Sequence, residues 1–221
     1  MAKKEKQKLN AVSKWFRTLR RVEPFLYRPL FPYKKYGHKE MFTDRAYIFV
    51  GNHLSVFDVV FPAISTNRAV HFMAKKSLFE KGLMRKFVLK SECIPVNRDG
   101  TDVKAVMQAM KYLKMGENVV IFPEGTRNKT AERFLPFRSG ATAISIKTKT
   151  PIIPMIQVKK IRIFRRSHVL IGEPMEFTDY YDKRLTEEDI NKCDNILRDR
   201  LNEMYNRLAE ILSKKKKGKK A

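Results

Sequence analysis

Short apolar runs alternate with stretches of helical period along most of this chain. Residues 46–51 (AYIFVG), 70–74, 93–96, 119–122, 152–158 and 169–172 are brief apolar segments bounded by polar or turn residues, and each predicts a strand. Between them, 59–64 begins a helix. Residues 78–89 carry Phe79, Leu83, Met84 and Phe87 at helical spacing, and 101–115 place Val103, Val106, Met107, Met110 and Leu113 on one face before Gly116. Residues 140–147 complete the series. Strands that are apolar throughout, separated by helices, predict an α/β fold. It is a single domain with a largely parallel mixed β-sheet flanked by helices.

Two further helices frame this core. Residues 9–28 place Leu9, Val12, Phe16, Leu19 and Val22 at three- and four-residue steps, with Trp15 beside them and Lys14, Arg17, Arg20 and Arg21 opposite; Pro24 and Pro29 break the pattern. Such an N-terminal amphipathic helix either packs on the core or lies in an anionic lipid interface. Residues 186–213 repeat Ile190, Cys193, Leu197, Leu201, Met204, Leu208 and Ile211, and Thr186 with Asp189 forms a capping-box pattern at the start. That seam either closes over the sheet or pairs with a second copy. The organisation expected is a basic segment at 1–30, a main domain at 31–213 and a disordered lysine-rich tail at 214–221.

Composition sharpens this picture in one respect. The formal charge is +24, from 47 basic and 23 acidic residues. Without the basic stretches 3–21 and 214–221, 33 basic residues still face 22 acidic ones, so the body itself is cationic. Such a field attracts nucleic acid, an anionic membrane surface, or phosphorylated substrates. No recognisable RNA- or DNA-binding motif is present, so a nucleic-acid-binding protein has only composition in its favour. No apolar stretch approaches the roughly 20 residues needed to span a bilayer, and no secretory signal follows the basic N-terminus. Cys93 and Cys193 lack metal-ligand spacing and are expected as buried thiols; no metal site is expected.

Three of the predicted strands run directly into polar loops. AYIFVG leads into NHLSVFD, with His53 and Asp58 five residues apart. CIPVNRDG ends at Arg98, and NVVIFPEGTR ends at Glu124, Gly125, Thr126 and Arg127. Parallel strands would bring these loops to one sheet edge, where open α/β sheets bind ligands. A five-residue separation is not a same-face spacing on a helix. His53 can meet Asp58 only from a turn preceding the helix, and Gly51–Asn52 supplies one. Asp58 would then hold one ring nitrogen and leave the other to accept a proton. The alternative is that Asp58 caps the helix beside an exposed His53. Arg98 and Arg127 are candidate phosphate ligands, because a guanidinium fork matches phosphate oxygens. No G-x-S-x-G elbow exists, so Ser55 is not a hydrolase nucleophile. His38, His71 and His168 lack carboxylate companions and read as structural or surface residues.

Taken in order, these motifs resemble the glycerolipid acyltransferase family, whose best-known members are lysophosphatidic acid acyltransferases of the PlsC type. The resemblance covers roughly residues 45–175. It implies the glycerol-phosphate acyltransferase-like fold, with His53 as general base, Asp58 as its partner, and an O-acyltransferase without an acyl-enzyme. Glu124, Gly125, Thr126, Arg127 and Arg98 would bind the acceptor phosphate, with Lys75 near it. FRSGA (137–141) matches a family segment with Arg138 in place of lysine, and IIPMI (152–156) matches the last motif, which places Ile153 and Pro154 at the acyl site. The implied reaction is acyl transfer to the free hydroxyl of lysophosphatidic acid, giving phosphatidic acid. Glycerol 3-phosphate or another lysophospholipid is the alternative acceptor. Acyl-CoA or acyl carrier protein would be the donor substrate, with no cofactor. The implied location is peripheral, at the cytoplasmic face of the membrane, on an anionic surface; no specific nucleic-acid partner is expected.

Overall fold

A computed structural model describes residues 28–38, 40–80, 82–97, 102–138 and 140–217, with positions 18, 21 and 25 in addition. Most of the expected helix at 9–28, and Arg98, therefore lie outside the described residues. The apolar runs are strands: β1 Tyr33–Gly37, β2 Ile48–Gly51, β3 Val70–Lys75, β4 Ile94–Val96, β5 Asn118–Ile121, β6 Ile152–Gln157 and β7 Ser167–Ile171. Every residue of β2, β5 and β6 is buried, as expected for strands covered on both faces. They form one seven-stranded sheet in the order β1-β7-β6-β2-β5-β3-β4. The five strands from β6 to β4 are parallel. β7 is antiparallel to β6, and β1 pairs parallel with β7, so these two strands at one end of the sheet run against the other five.

The helices are α1 Val60–Ala63, α2 Gly82–Lys90, α3 Val103–Lys114, α4 Ala141–Thr148 and α5 Glu187–Lys217. The helix expected at 59–64 is shorter than its pattern, a 3-10 turn at Val56–Val59 leading into one turn of α1. Pro62 stands within that single turn. The helix expected at 78–89 is likewise split, into a 3-10 turn at Lys76–Phe79 and α2. One face of the sheet packs against α3, α4 and α5, through residues such as Ile48, Ile121, Ile144, Ile156 and Leu201. The other face is covered by Phe31, Phe42, Phe61 and Ile64 over Phe49, Val120 and Ile153.

The long C-terminal helix settles the choice left open by its pattern. Cys193, Leu197, Leu201, Met204 and Leu208 are all buried against the sheet of the same chain. Each buried leucine or methionine side chain among them stabilises the fold by about 1.5–3 kcal/mol. Thr186 and Asp189 form the reciprocal cap, with Asp189 N donating to Thr186 Oγ1 at 3.1 Å and Thr186 N donating to Asp189 Oδ2 at 3.0 Å. The helix continues through Lys214–Lys217, so the first four residues of the expected disordered tail are helical. Lys214 reaches Glu210 one turn back, and Lys215 donates to Tyr36 Oη. Both cysteines are free and buried, and burial pushes the Cys93 thiol up to about 12. No helix among the described residues is long and apolar enough to cross a membrane.

Candidate active site

β2, β3, β4, β5 and β6 all end at the same sheet edge, so the loops that follow them converge. At Gly51 the sheet is tight: a Cβ there would stand 2.6 Å from the Met155 carbonyl oxygen. The chain then leaves β2 through Asn52 and His53 before Ser55 caps the 3-10 turn at Val56–Val59. Asn52 is fixed to the next strand, donating to the Gln157 carbonyl at 2.8 Å and accepting from Gln157 N at 3.0 Å.

His53 and Asp58 meet. His53 Nδ1 lies 3.0 Å from Asp58 Oδ2. The same carboxylate oxygen accepts from Leu54 N at 2.7 Å and Ser55 N at 2.6 Å. Capping the turn and holding the histidine are thus one job for one oxygen, not alternatives. Asp58 Oδ1 accepts from Gln157 Nε2 at 3.0 Å. An ionised carboxylate only accepts, so this network assigns the proton to Nδ1 and leaves Nε2 as the basic nitrogen. Phe122 stacks on the imidazole at 4.2 Å and fixes its plane.

The EGTR loop grips the backbone of the same histidine. Glu124 Oε1 accepts from His53 N at 2.8 Å, Glu124 Oε2 accepts from Leu135 N at 2.9 Å, and Asn128 N donates to the His53 carbonyl at 2.7 Å. Glu124 is buried, and burial raises its pKa above the usual carboxylate range against the opposing effect of those two N–H groups. Its place is structural, beneath the site. Gly125 has φ 66°, where a side chain is strained, and a Cβ there would press on Arg138 Cδ at 3.0 Å.

A cleft of about 540 Å³ opens beside His53. One part is apolar, formed by Met73, Val96, Val106, Ile121, Ala141 and Ile144. The polar part carries Lys75, Asn97, Asp102 and Arg138, with Pro123 and Gly125 beside them. Asp102 caps α3, accepting from Ala105 N at 3.0 Å, and also accepts from Asn97 N at 2.8 Å. Those N–H groups hold its carboxyl below the usual range. Asp102 thereby ties together the two ends of the loop that carries Arg98.

Several expected site residues fall elsewhere. Thr126 and Arg127 are exposed and do not line the cleft. Ile153 and Pro154 are buried within β6, separated from the cleft by β2; Ile153 packs under Phe49 and Phe61 in the layer facing away from α3 and α4. The apolar wall comes instead from β3, β4, β5, α3 and α4. Phe122 and Gln157 are site residues that no sequence motif marks, and Arg138, marked only by its place in the FRSGA match, lines the cleft. The signal for Gln157 was a polar residue ending the otherwise apolar run IIPMIQ. His38, His71 and His168 stand apart from the cleft, against Glu173, Tyr112 and Tyr36 respectively. No cluster of metal-ligating side chains occurs among the described residues.

The fold is that of an α/β protein whose candidate site lies at the carboxyl ends of parallel strands, where open sheets of this class bind ligands. Its particular class follows from comparison with known proteins. The Acyltransferase family model matches residues 33–158, and the chain belongs to that family. It is similar to the 1-acyl-sn-glycerol-3-phosphate acyltransferase of Bacillus subtilis, with 28% identity over 80% of this chain and 90% of that protein. The Helicobacter pylori protein of the same name shares 34% identity over 56% of this chain and 53% of its own length. The crystal structure of the 1-acyl-sn-glycerophosphate acyltransferase PlsC from Thermotoga maritima superposes with a TM-score of 0.61. That match covers 92% of this chain and 83% of the other at 22% identity, and it shows the shared fold.

Proposed function

We propose that the protein transfers a fatty acyl group from a thioester to the free hydroxyl of lysophosphatidic acid, giving phosphatidic acid. The observation that carries this reading is the Asp58–His53 couple beside a cleft with one cationic and one apolar part. The names of the relatives supply the acceptor. His53 Nε2 takes the proton of the acceptor hydroxyl as its oxygen attacks the thioester carbonyl. The C–S bond breaks, and the departing thiolate recovers the proton from the imidazolium. Asp58 stabilises that transient imidazolium, and no acyl-enzyme forms. Lys75 and Arg138, with Arg98, bind the acceptor phosphate. The apolar wall takes the acyl chain. Acyl-CoA and acyl carrier protein are both compatible with a thioester donor, and the cationic body suits either acidic partner. The enzyme works as a peripheral protein on the cytoplasmic face of the membrane, with residues 9–28 as one anchor.

The test is acyl transfer to lysophosphatidic acid with each donor, comparing wild type with His53→Ala. Loss of a positioned general base lowers turnover by roughly two to four decades. A folded His53→Ala protein with near-wild-type turnover would overturn the mechanism. A wild-type protein inactive on this acceptor with both donors would overturn the substrate.

A further inference from the structure

The connection between β6 and β7 plays no part in the chemistry above, yet it leaves β6 at the same sheet edge as His53. Its root is beside the site, where Gln157 holds both Asn52 and Asp58. Residues 158–167 read VKKIRIFRRS: five basic side chains, Lys159, Lys160, Arg162, Arg165 and Arg166, and no acid. All five are exposed, and none forms an ion pair with another described residue.

The apex is apolar and aims outward. Arg165 N donates to the Arg162 carbonyl at 3.2 Å, closing a two-residue turn over Ile163 and Phe164. Ile163 is 57% exposed and Phe164 74% exposed. Phe164 has φ 57°, a left-handed conformation in which a bulky side chain is unusual. Glycine or asparagine would fit that position with less strain. An exposed aromatic here opposes both solvation and backbone preference, which points to a partner for it.

The turn is held firmly. Ile161 is buried in the core, Phe164 N donates to the Leu30 carbonyl at 2.7 Å, and Ser167 N donates to the Pro32 carbonyl at 2.7 Å. Through the 28–32 segment the patch reaches the catalytic loop, because Phe31 packs on Phe57 at 4.4 Å. Leu30, Val56 and Phe57 are exposed as well. The result is an apolar belt from the His53 loop to the hairpin tip, bordered by cations.

We infer that the 159–166 hairpin is a membrane wedge: Ile163 and Phe164 enter the acyl boundary of an anionic bilayer while the five flanking cations meet its headgroups. Charge complementarity selects an anionic surface. The aliphatic members of the belt, Leu30, Val56 and Ile163, select lipid over nucleic acid, since they offer nothing to a phosphate and do not stack on bases. The wedge rests on the lipid-acceptor reading for its purpose, turning the His53 edge toward the surface that holds the acceptor. Its binding is measurable without any substrate.

The test uses the full chain with phosphatidylglycerol vesicles, compared with phosphatidylcholine vesicles. Wild type should bind the anionic vesicles more tightly. Ile163→Ser/Phe164→Ser should weaken that binding roughly ten- to a hundredfold, the effect of withdrawing exposed Ile and Phe side chains from burial. What binding remains should become more salt-sensitive, because its apolar part is gone. In a Trp15→Phe/Phe164→Trp protein, the emission of the single indole should shift to the blue on adding vesicles and be quenched by brominated lipid. Turnover of a short-chain acceptor dissolved as monomers should be unchanged in the serine variant. Inactivity of wild type on that acceptor would count against the substrate reading and leave the vesicle measurement intact. Vesicle binding within twofold of wild type in the double serine variant, or indole emission at the hairpin tip that does not shift, would overturn the wedge. So would normal vesicle binding accompanied by a loss of RNA binding or of self-association, which would reassign the patch to nucleic acid or to a second copy of this chain.

Discussion

Replacing Asp58 by asparagine separates the two tasks that one carboxylate performs. Oδ2 receives three donors, His53 Nδ1 at 3.0 Å, Leu54 N at 2.7 Å and Ser55 N at 2.6 Å, while Oδ1 receives Gln157 Nε2 at 3.0 Å. An asparagine with its carbonyl oxygen in the Oδ2 position keeps the first three. Its NH2 group then faces the Gln157 NH2 group. Gln157 relieves this by turning its amide, because its buried Oε1 has no hydrogen-bond partner among the described residues and can accept from the new donor. The fold should therefore survive, with a loss of about 1 kcal/mol for a neutral in place of a charged acceptor. Catalysis should not. When His53 takes the acceptor proton, the imidazolium faces a neutral amide in a site where residue 58 is 2% exposed. Two unit charges about 4 Å apart interact by about 4 kcal/mol at an effective dielectric near 20. Exchange of a charged for a neutral hydrogen bond sets a lower bound of about 1.5 kcal/mol. At roughly 1.4 kcal/mol per decade, kcat should fall between ten- and a thousandfold. The assay is steady-state acyl transfer beside a thermal melt, repeated on a His53→Ala background. There the asparagine should cost almost nothing more, since the two residues act as a unit. A folded Asp58→Asn enzyme with kcat within threefold of wild type, or full additivity with His53→Ala, would refute this account.

Glu124→Gln should lower both stability and turnover, because glutamine retains one acceptor for two N–H donors, at a cost of about 1–3 kcal/mol. Its pH dependence has a definite sign. Burial raises the folded-state pKa of Glu124 above its unfolded value, so the folded protein holds that proton longer and loses stability as pH rises between the two. The difference in Tm between wild type and Glu124→Gln should narrow as pH rises through that window; a widening gap would contradict the assignment. Arg138→Ala and Lys75→Ala should each reduce kcat/KM for lysophosphatidic acid by roughly ten- to a hundredfold, with a smaller effect on the donor. Arg127→Ala, outside the cleft, should do less, and an equal or larger loss in that variant would move the phosphate to the exposed loop.

What the chain carries in its own pattern is whatever depends on local periodicity and on chemistry at the ends of elements. Apolar runs such as NVVI and IIPMI are continuous because both sheet faces are covered, and they are recognisable for that reason. The seam of α5 and its Thr186–Asp189 cap are equally local. The His53–Asp58 pair was also legible, because the turn and the cap lie within six residues of one another. β1 escaped detection: YKKYG is lysine-rich, lies at the sheet edge, and gains its place only by pairing with β7. Strand order, the reversal of β7 and β1, and the split of the helix expected at 59–64 were equally out of reach. Apolarity reports that a side chain is buried but not against what. Ile153 and Pro154 are as apolar as the cleft wall requires, yet they sit one strand too far along the sheet. Gln157 lies 99 residues from Asp58, and Arg138 packs beside Gly125, where a Cβ would press on its side chain at 3.0 Å. Those relations arise from contacts distant in sequence. Only the folded sheet, by setting which strand ends stand beside one another, decides them.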